Sequence, residues 1–372
     1  MVFAHDQRKL TMTTAPIAMS VLIPNFNYAT YIRETIASVL GQAADDTEIV
    51  ISDNASTDGS VEVVQRFADP RVRLSVNASN VGFAANLERV AERARGRRML
   101  LLSSDDRMRP GALAAYARLE AALGARAERT VWGATTTIID SDGRETSQLA
   151  ADERLWGAAP IDATLSGAVG FPVRVLPAAE MLRRSLLLLR SPLPFAATCY
   201  PRSLHDAVGG YAGGRLMNPD KWFLWKLLAA ADTVCMIDHP LFDYRVHAGG
   251  QNAQEARSGA LKHLTDQYIA TFNLPAGVLA KAGLSADEVA DAFVEQDIAL
   301  RGLVALAEGK RMTARRAVHF GQAAYPDTIR RNRKVWLLRA LLQLGPLGTS
   351  FARLARTRTQ ARWAASVGRE PK

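Results

Sequence analysis

Two adjacent aspartates follow an apolar run in the segment MLLLSSDDRMRPGAL, residues 99–113. A hard divalent cation such as Mg²⁺ or Mn²⁺ takes one or two protein carboxylates and completes its shell with water and diphosphate oxygens. Asp105 and Asp106 could therefore hold a metal or a substrate. The alternative is a helix cap before Pro110, which is less favoured because a proline at the helix start suggests a neighbouring residue as the N-cap.

Asp53 is a second acidic position with a chemical interpretation, since it follows the apolar run EIVIS and opens DNASTDGS. Its carboxylate could accept a hydrogen bond from a pyrimidine N–H or a ribose hydroxyl, which indicates a nucleotide site. Ser56, Thr57 and Asp58 could cap the helix that follows. The alternative, a capping turn alone, is favoured for Ser56 and Asp58 but not for Asp53.

A third carboxylate, Asp220, stands at the start of the helix predicted from NPDKWFLWKLL. It could act as a general base that takes a proton from an acceptor hydroxyl, although the helix dipole alone would lower its pKa. The alternative is charge complementation at the helix N-terminus. Trp222 could stack on a sugar ring, and core packing is the alternative for this side chain.

The segment YRVHAGGQN brings Arg245 and His247 before a Gly-Gly loop. A neutral imidazole is a competent ligand for Mn²⁺, and an arginine can pair with a diphosphate. A structural or exposed histidine is the alternative. Because His247 lies between a short strand and a loop, a role in a site is favoured about equally with that alternative.

The elements that position these residues are predicted from residues 19–110, where strand-like apolar runs alternate with amphipathic stretches. This alternation predicts βαβ units and a mostly parallel sheet. Ligands bind beyond the carboxyl ends of the strands in such sheets. The polar residues at or after those ends are Pro24, Asn25, Asn27, Asp53, Asn80, Asn86, Ser103, Asp105 and Asp106.

Length and composition limit the classes of protein. The 372 residues suffice for one large α/β domain with a helical appendage. The two cysteines have no paired spacing, so we expect neither a disulfide framework nor a zinc site, and a reducing compartment is favoured. No apolar run reaches about 18 residues, so a secreted or membrane-spanning protein is not expected.

The net charge of +9 is concentrated at the C-terminus. Residues 310–372 contain fifteen Lys and Arg but two acids, which leaves residues 1–309 near −4. The segment RNRKVWLLRALLQLGPLGTSFARLARTRTQARW predicts basic amphipathic helices that could lie on an anionic membrane surface. A helical cap packed on the main domain is equally favoured, and nucleic-acid binding is less favoured because no recognition module accompanies the charge.

Taken in order, these segments resemble the family 2 glycosyltransferases, inverting enzymes with the GT-A fold. The resemblance covers roughly residues 19–250 and depends on SVLIPNFNYATYIRETIASVLGQ, EIVISDNASTDGS, NVGFAAN, LLLSSDD, GGY…PDKWFLWKLL and YRVH. It implies an α/β domain over residues 18–253, with a mixed, mostly parallel sheet flanked by helices. Residues 1–17 would be an N-terminal extension and residues 254–372 a basic helical region.

The resemblance also implies the site residues. Asp105 and His247 would bind a divalent cation, Mn²⁺ or Mg²⁺, Asp220 would be the catalytic base and Trp222 would contact the acceptor. The nucleotide-sugar would contact Pro24, Asn25, Asn27, Asp53, Asn86, Ser103, Asp106 and Arg245. Two positions depart from the family pattern, because Ser103 replaces the first aspartate of the metal motif and Lys221 follows Asp220 where the family often has Glu-Asp.

The implied function is transfer of a sugar from a nucleotide-diphospho-sugar, with UDP favoured, to a hydroxyl of a saccharide or lipid-linked acceptor. Bacterial cell-surface polysaccharide synthesis is the expected setting, in the cytoplasm or on the inner face of the cytoplasmic membrane. One alternative is a non-catalytic sugar-nucleotide-binding subunit, suggested by Ser103 and Lys221. A nucleotidyltransferase is less favoured because IPNFNYATYI lacks a Gly-rich basic loop.

Overall fold

A mixed ten-stranded sheet organises residues 19–245. The computed structural model describes residues 16–211, 216, 219–250 and 260–367. The strands are β1 Met19–Asn25, β2 Thr47–Asp53, β3 Val72–Val76, β4 Arg98–Leu101, β5 Arg107–Met108, β6 Thr130–Ile139, β7 Glu145–Leu149, β8 Val173–Pro177, β9 Cys199–Pro201 and β10 Thr233–Arg245. Their order is β3-β2-β1-β4-β9-β6-β10-β5, with β7 paired to β6 and β8 to β10.

Helices cover both faces of the sheet. Those between or after the strands are α1 Ile32–Leu40, α2 Ser60–Gln65, α3 Phe83–Glu92, α4 Ala112–Leu123, α5 Glu153–Trp156, α6 Ala163–Val169, α7 Ala178–Leu188, α8 Arg202–Ala207 and α9 Asp220–Ala230. Short 3₁₀ helices span Gly124–Arg129 and Phe195–Ala197. The helices predicted near residues 111–124, after Pro177 and after Pro219 are therefore confirmed as α4, α7 and α9.

The parallel strands β1, β2 and β4 are buried on both faces, which explains their apolar runs. Val21 and Ile23 of β1 pack in a core with α1, α2, α4 and α6, whereas Leu22 packs in a second core with α3, α7 and α9. Strands β1, β2, β3 and β4 pair in parallel, as do β6 and β10. A strand covered by helices on both sides needs apolar residues at successive positions. The predicted mostly parallel sheet is thus confirmed.

One predicted element is wrong. Two short strands were expected around His239-Pro240, but β10 is a single strand from Thr233 to Arg245. Its register against β6 shifts on both sides of Pro240, because proline cannot donate to the ladder and the chain accommodates it with a bulge. Pairing then resumes and brings Arg245 to the edge of the sheet that contains the predicted site.

The C-terminal helices pack against the sheet domain. They are α10 Ala260–Phe272, α11 Ala276–Ala282, α12 Ala286–Phe293, a π-helix Val294–Leu300, α13 Arg301–Ala307, α14 Arg311–Ala324, α15 Pro326–Arg331, α16 Arg333–Gln343 and α17 Pro346–Val367. Phe293 and Ile298 share a core with Leu186 of α7 and Trp225 of α9. The domain boundary predicted at residues 253 and 254 lies outside the described residues, as do residues 1–15 of the predicted extension.

Within the described ranges, no helix combines the length and the apolar character needed to cross a membrane.

Candidate active site

The carboxyl ends of β1 and β2 bring Asn25 and Asp53 together, because these residues are register partners. Asn25 Nδ2 donates to Asp53 Oδ2 at 2.7 Å, and the Ser56 backbone N–H donates to Asp53 Oδ1 at 2.8 Å. Both side chains are buried. Asn25 Oδ1 is also buried and has no hydrogen-bond partner among the described residues, which leaves one acceptor at this edge for a ligand.

The loops after β1 and β2 are joined through Asn27 and Ser56. Asn27 Oδ1 accepts from the Thr57 backbone N–H at 2.8 Å, and the Asn27 backbone N–H donates to Ser56 Oγ at 2.9 Å. Asn27 has φ +60°, a left-handed conformation that asparagine tolerates. Ser56 therefore links the two loops rather than capping α2, and Pro24 lies half-buried in β1 opposite Ser52.

Asp58 is the residue of this turn that bonds to the first residue of α2. Its Oδ1 accepts from the Ser60 backbone N–H at 3.0 Å, and its Oδ2 accepts from the Ala29 backbone N–H at 2.8 Å. Burial raises the pKa of Asp58, but hydrogen bonds from Ser60 and Ala29 outweigh it and hold the pKa below its ordinary value. Capping and loop attachment account for this carboxylate.

Asn86 is buried behind the nucleotide edge rather than exposed at it. Its Oδ1 accepts from Ser52 Oγ at 2.8 Å and from Asn77 Nδ2 at 2.9 Å, while its Nδ2 donates to the Ser52 carbonyl at 2.9 Å. These bonds connect α3 to the ends of β2 and β3. The structure therefore places Asn86 where it positions the strand ends, and the direct contact predicted for it would require these bonds to be released.

Asp105 and His247 meet at the end of β4. His247 Nε2 lies 3.2 Å from Asp105 Oδ2, and their side chains are 10% and 15% exposed, so both are accessible from one side. The rings of Tyr28 and Tyr31 contact the imidazole edge, with centroids at 5.8 and 4.9 Å. Burial raises the pKa of Asp105, and the hydrogen bond with His247 opposes that increase.

Asp106 faces inward. Its Oδ1 accepts from the Arg245 backbone N–H at 2.8 Å, and its backbone carbonyl accepts from Thr35 Oγ1 at 2.7 Å. Burial and the neighbouring charge of Asp105 raise the pKa of Asp106 well above its ordinary value. Ser103 is half-buried, and its carbonyl accepts from the Asp106 backbone N–H at 3.2 Å, so this residue belongs to the turn that presents the two aspartates.

The guanidinium of Arg245 is engaged by the protein. Its Nε donates to the Asp105 carbonyl at 2.8 Å and its Nη2 to Glu34 Oε2 at 2.6 Å. Its Nη1 lies 3.2 Å from two carbonyls of the turn after β6, and its Cζ lies 4.6 Å from the centroid of the Tyr31 ring. Arg245 thus holds the aspartate turn, and the predicted pairing with a diphosphate would require it to release these partners.

Glu34 of α1 belongs to the site, although no motif in the sequence points to it. It accepts from Arg107 Nη1 at 2.5 Å and from Arg245 Nη2 at 2.6 Å, so it joins the segments on either side of the Asp105–His247 pair. Arg107 also pairs with buried Asp243 at 2.5 Å. An acid in the first turn of the helix after β1 is the only sequence signal for this role, and it is a weak one.

Asp220 is the first residue of α9 and is half-buried. The next residue, Lys221, is directed toward the C-terminal helices, where its Nζ donates to the Leu189 carbonyl at 3.1 Å and to Gln267 Oε1 at 2.5 Å. The unusual Lys221 therefore does not have to present its charge beside Asp220. Most of the preceding segment, residues 212–215, 217 and 218, lies outside the described residues.

The acceptor contact predicted for Trp222 does not fit the structure. Its side chain is 6% exposed in the core beneath α9, and Lys226 Nζ lies 4.1 Å from its ring centroid. Stacking on a sugar needs an accessible ring face, and this one is covered. Core packing, the alternative for Trp222, is what the structure shows.

The donor set fits a divalent cation with ligands from a bound diphosphate. In the described part of the chain, no three His, Cys, Asp or Glu side chains are grouped as a metal site. Asp105 and His247 supply one oxygen and one nitrogen donor, which suit Mn²⁺. Asp106 Oδ2 is buried without a hydrogen-bond partner among the described residues.

Part of the chain is similar in sequence to known glycosyltransferases. Residues 20–148 match the family described as Glycosyl transferase family 2. Over 98 residues the chain is 36% identical to TuaG of Bacillus subtilis, provisionally named a teichuronic acid biosynthesis glycosyltransferase; the match covers 26% of this chain and 39% of TuaG. An uncharacterized glycosyltransferase of Nostoc is 26% identical over 294 residues, covering 72% of this chain and 79% of that protein.

The fold is similar to that of a solved crystal structure. Residues 1–349 of S. aureus TarS, in complex with UDP-GlcNAc, superpose with a TM-score of 0.59 and 16% identity, covering 90% of this chain and 89% of TarS 1–349. The shared architecture is the GT-A fold, and it extends into the C-terminal helices. The match to glycosyl transferase family 2 thus covers residues 20–148, in a chain whose fold is GT-A.

Proposed function

We propose that this protein transfers a sugar from a nucleotide-diphospho-sugar, with UDP as the favoured nucleotide, to an acceptor hydroxyl with inversion at the anomeric carbon. The observation that carries the proposal is the Asp105–His247 pair at the end of β4, in the same sheet as the Asn25–Asp53 pair at the ends of β1 and β2. One pair suits a cation and diphosphate, and the other suits a nucleoside. Ligands of α/β sheets bind at this edge.

Asp105 and His247 are the residues that would hold Mn²⁺ or Mg²⁺. When bound, the cation would stabilise the charge that develops on the diphosphate leaving group. Asp106 and Arg245 keep the aspartate turn in place through the bonds described above. The proposal includes metal dependence, because Asp105 and His247 lie next to each other and their side chains remain partly accessible.

Asp220 is the proposed base for the acceptor hydroxyl. A direct displacement requires a group that takes the proton of the attacking oxygen, and no protein nucleophile is needed. Asp220 begins α9, and its neighbour Lys221 is held by α10 and by the chain after α7. As the acceptor oxygen bonds to the anomeric carbon, the bond from that carbon to the diphosphate oxygen would break, the Asp220 carboxylate would take the proton of the hydroxyl, and nucleoside diphosphate would be the second product.

The proposed setting is synthesis of a cell-surface polysaccharide, with a saccharide or lipid-linked acceptor and a hexose as the transferred sugar. Its support is the names of relatives: besides TuaG, a hyaluronan synthase of Pasteurella multocida is 34% identical over 97 residues, covering 26% of this chain and 10% of that protein. Two buried free cysteines, Cys199 and Cys235, suit the reducing compartment in which we place the reaction.

The test is release of nucleoside diphosphate from a panel of sugar nucleotides with Mn²⁺ and a saccharide acceptor. Asp105→Ala should lower turnover by about 100-fold or more, because it removes a ligand of the cation that would stabilise the charge on the leaving group. Asp142→Ala, at an exposed turn, is the matched control and should leave turnover unchanged. Equal turnover in wild type and Asp105→Ala would remove the metal assignment.

Two other results would replace the proposal. Binding of a sugar nucleotide with no turnover for any acceptor would indicate a non-catalytic subunit, a possibility motivated by Ser103 and Lys221. Release of sugar 1-phosphate instead of nucleoside diphosphate would indicate nucleotidyl transfer. Separate assays for nucleoside diphosphate and for sugar 1-phosphate on the same reactions distinguish the three outcomes.

A further inference from the structure

The two last helices, α16 and α17, expose large apolar side chains on their outward sides. On α17 these residues follow the spacing i, i+4 and i+7, which places them on one face of the helix. We call the set the outer apolar face, and each member is between 49% and 66% exposed: Trp336, Leu337, Leu344, Leu347, Phe351 and Leu354.

Both helices turn their inner sides to the same small core. Leu338 and Leu342 of α16 and Ala352 of α17 are buried together with residues of α13 and α14. The tight turn between the two helices uses Gly345 at φ +64°. Because the inner sides share one core, the outer sides face away from the protein together. The outer apolar face therefore lies on the sides of both helices that point away from this core.

The sequence of this region is strongly basic. Residues 328–369 contain ten Lys and Arg and no Asp or Glu. Some of these cations pair with acids of other helices, as Arg331 does with Asp291. Arg333 and Arg339 of α16 form no ion pair with any residue in the described ranges, so their charges are available to a partner.

We propose that the outer apolar face and its arginines bind the surface of an anionic lipid bilayer. Trp, Phe and Leu side chains insert at the level of the headgroups, while Arg pairs with lipid phosphates above them. A second copy of this chain fits less well, because contact through this face would bring two strongly basic segments together. A nucleic acid would use the arginines but would leave six large apolar side chains exposed to water.

The first experiment measures binding of the full chain to vesicles of phosphatidylcholine alone and of phosphatidylcholine with phosphatidylglycerol, by co-sedimentation. Binding is expected to the anionic vesicles and to weaken with added salt, because salt screens the charge term. No donor is added, so the result does not depend on the proposed transfer reaction. Absence of vesicle binding, or equal binding to neutral vesicles, would overturn the proposal.

A pair of double variants tests the apolar part. Phe351→Gln with Leu354→Gln should weaken binding to anionic vesicles at least about tenfold, since it removes two inserted side chains. The control is Phe272→Gln with Leu149→Gln, because these residues are similarly exposed, at 65% and 47%, but lie on α10 and β7. Circular dichroism melts should show both proteins folded. Equal binding by the two double variants would contradict the proposal.

A further double variant tests the contribution of the arginine charges to vesicle binding. Arg333→Gln with Arg339→Gln should lower affinity for anionic vesicles by about fivefold per charge removed and leave weak binding to neutral vesicles unchanged. Sedimentation velocity of the protein without lipid tests whether a second copy of the chain binds the outer apolar face. A dimer that the Phe351→Gln, Leu354→Gln variant abolishes would assign the face to a second copy instead. Displacement from vesicles by an oligonucleotide, with affinity insensitive to Phe351 and Leu354, would assign it to nucleic acid.

Discussion

Glu34 illustrates how a residue without a sequence motif can organise a site. Its two carboxylate oxygens accept from Arg107 and Arg245, which lie just after Asp106 and just before His247. The partner of Arg245 is 211 positions away in the sequence, and no spacing rule connects such residues. Sequence patterns therefore identified the carboxylates and the imidazole but not the residue that holds their loops together.

Glu34→Gln should lower the affinity for Mn²⁺, because Arg107 and Arg245 would lose charged acceptors and the Asp105–His247 spacing would relax. Titration of Mn²⁺ by electron paramagnetic resonance measures this without any donor. The free energy of unfolding should fall by only about 1 kcal/mol, since Glu34 is 44% exposed. Glu62→Gln on α2 is the control, and an unchanged Mn²⁺ affinity in Glu34→Gln would show that the loops hold their position without it.

Lys226 should make stability depend on pH in the alkaline range. Burial lowers its pKa to about 8, and its ammonium donates to the carbonyls of Val208 and Gly210 at 3.0 and 2.8 Å. The unfolded chain holds this proton up to about pH 10.4, so the folded state binds fewer protons between pH 8 and 10. The free energy of unfolding of wild type relative to Lys226→Met should therefore rise as pH increases through 8. Urea titrations from pH 7 to pH 10 measure it, and a flat difference would contradict the prediction.

At the scale of elements, the strands and helices from β1 to β4 were predictable because each is short, regular and bounded by turn residues. β10 was not, because Pro240 indicates a break in the sequence although a bulge preserves the pairing with β6. The role of Trp222 was open for a similar reason, since nothing in the sequence of α9 itself shows which of its side chains are buried. Sequence periodicity does not predict the pairing or burial of an element when these depend on contacts with distant parts of the chain.

The link between α9 and α10 has a measurable role in the proposed reaction. Gln267 is buried and accepts from Lys221, next to the proposed base. Gln267→Ala should lower stability by about 1–3 kcal/mol, because the ammonium loses a buried acceptor. It should also lower kcat several-fold while the KM for the donor is unchanged, as expected if α9 shifts at Asp220.

The control for this prediction is Asn273→Ala, just after the same helix, where the exposed side chain donates to the Ile269 carbonyl and to no other group in the described residues. It should leave kcat unchanged. A rise in donor KM with constant kcat in Gln267→Ala would place the effect in the nucleotide site instead. Loss of activity in both variants would indicate a general effect of α10.

For the molecule as a whole, the core is shared between the sheet domain and the C-terminal helices. Phe293 of α12 is fully buried and packs in the same core as Trp225 of α9. Phe293→Ala should lower the free energy of unfolding by about 3–5 kcal/mol. Tryptophan fluorescence and circular dichroism should report one coincident transition in urea. Two separated transitions would show that the helical region unfolds independently of the sheet.

The separation of charge along the chain has a consequence for motion in an electric field. Residues 1–309 carry about −4 and residues 310–372 about +13, so the molecule has a strong permanent dipole as well as a net charge. A dipole near a negatively charged plane experiences a torque before any contact is made. The protein would approach such a plane with α16 and α17 leading, and orientation would precede docking.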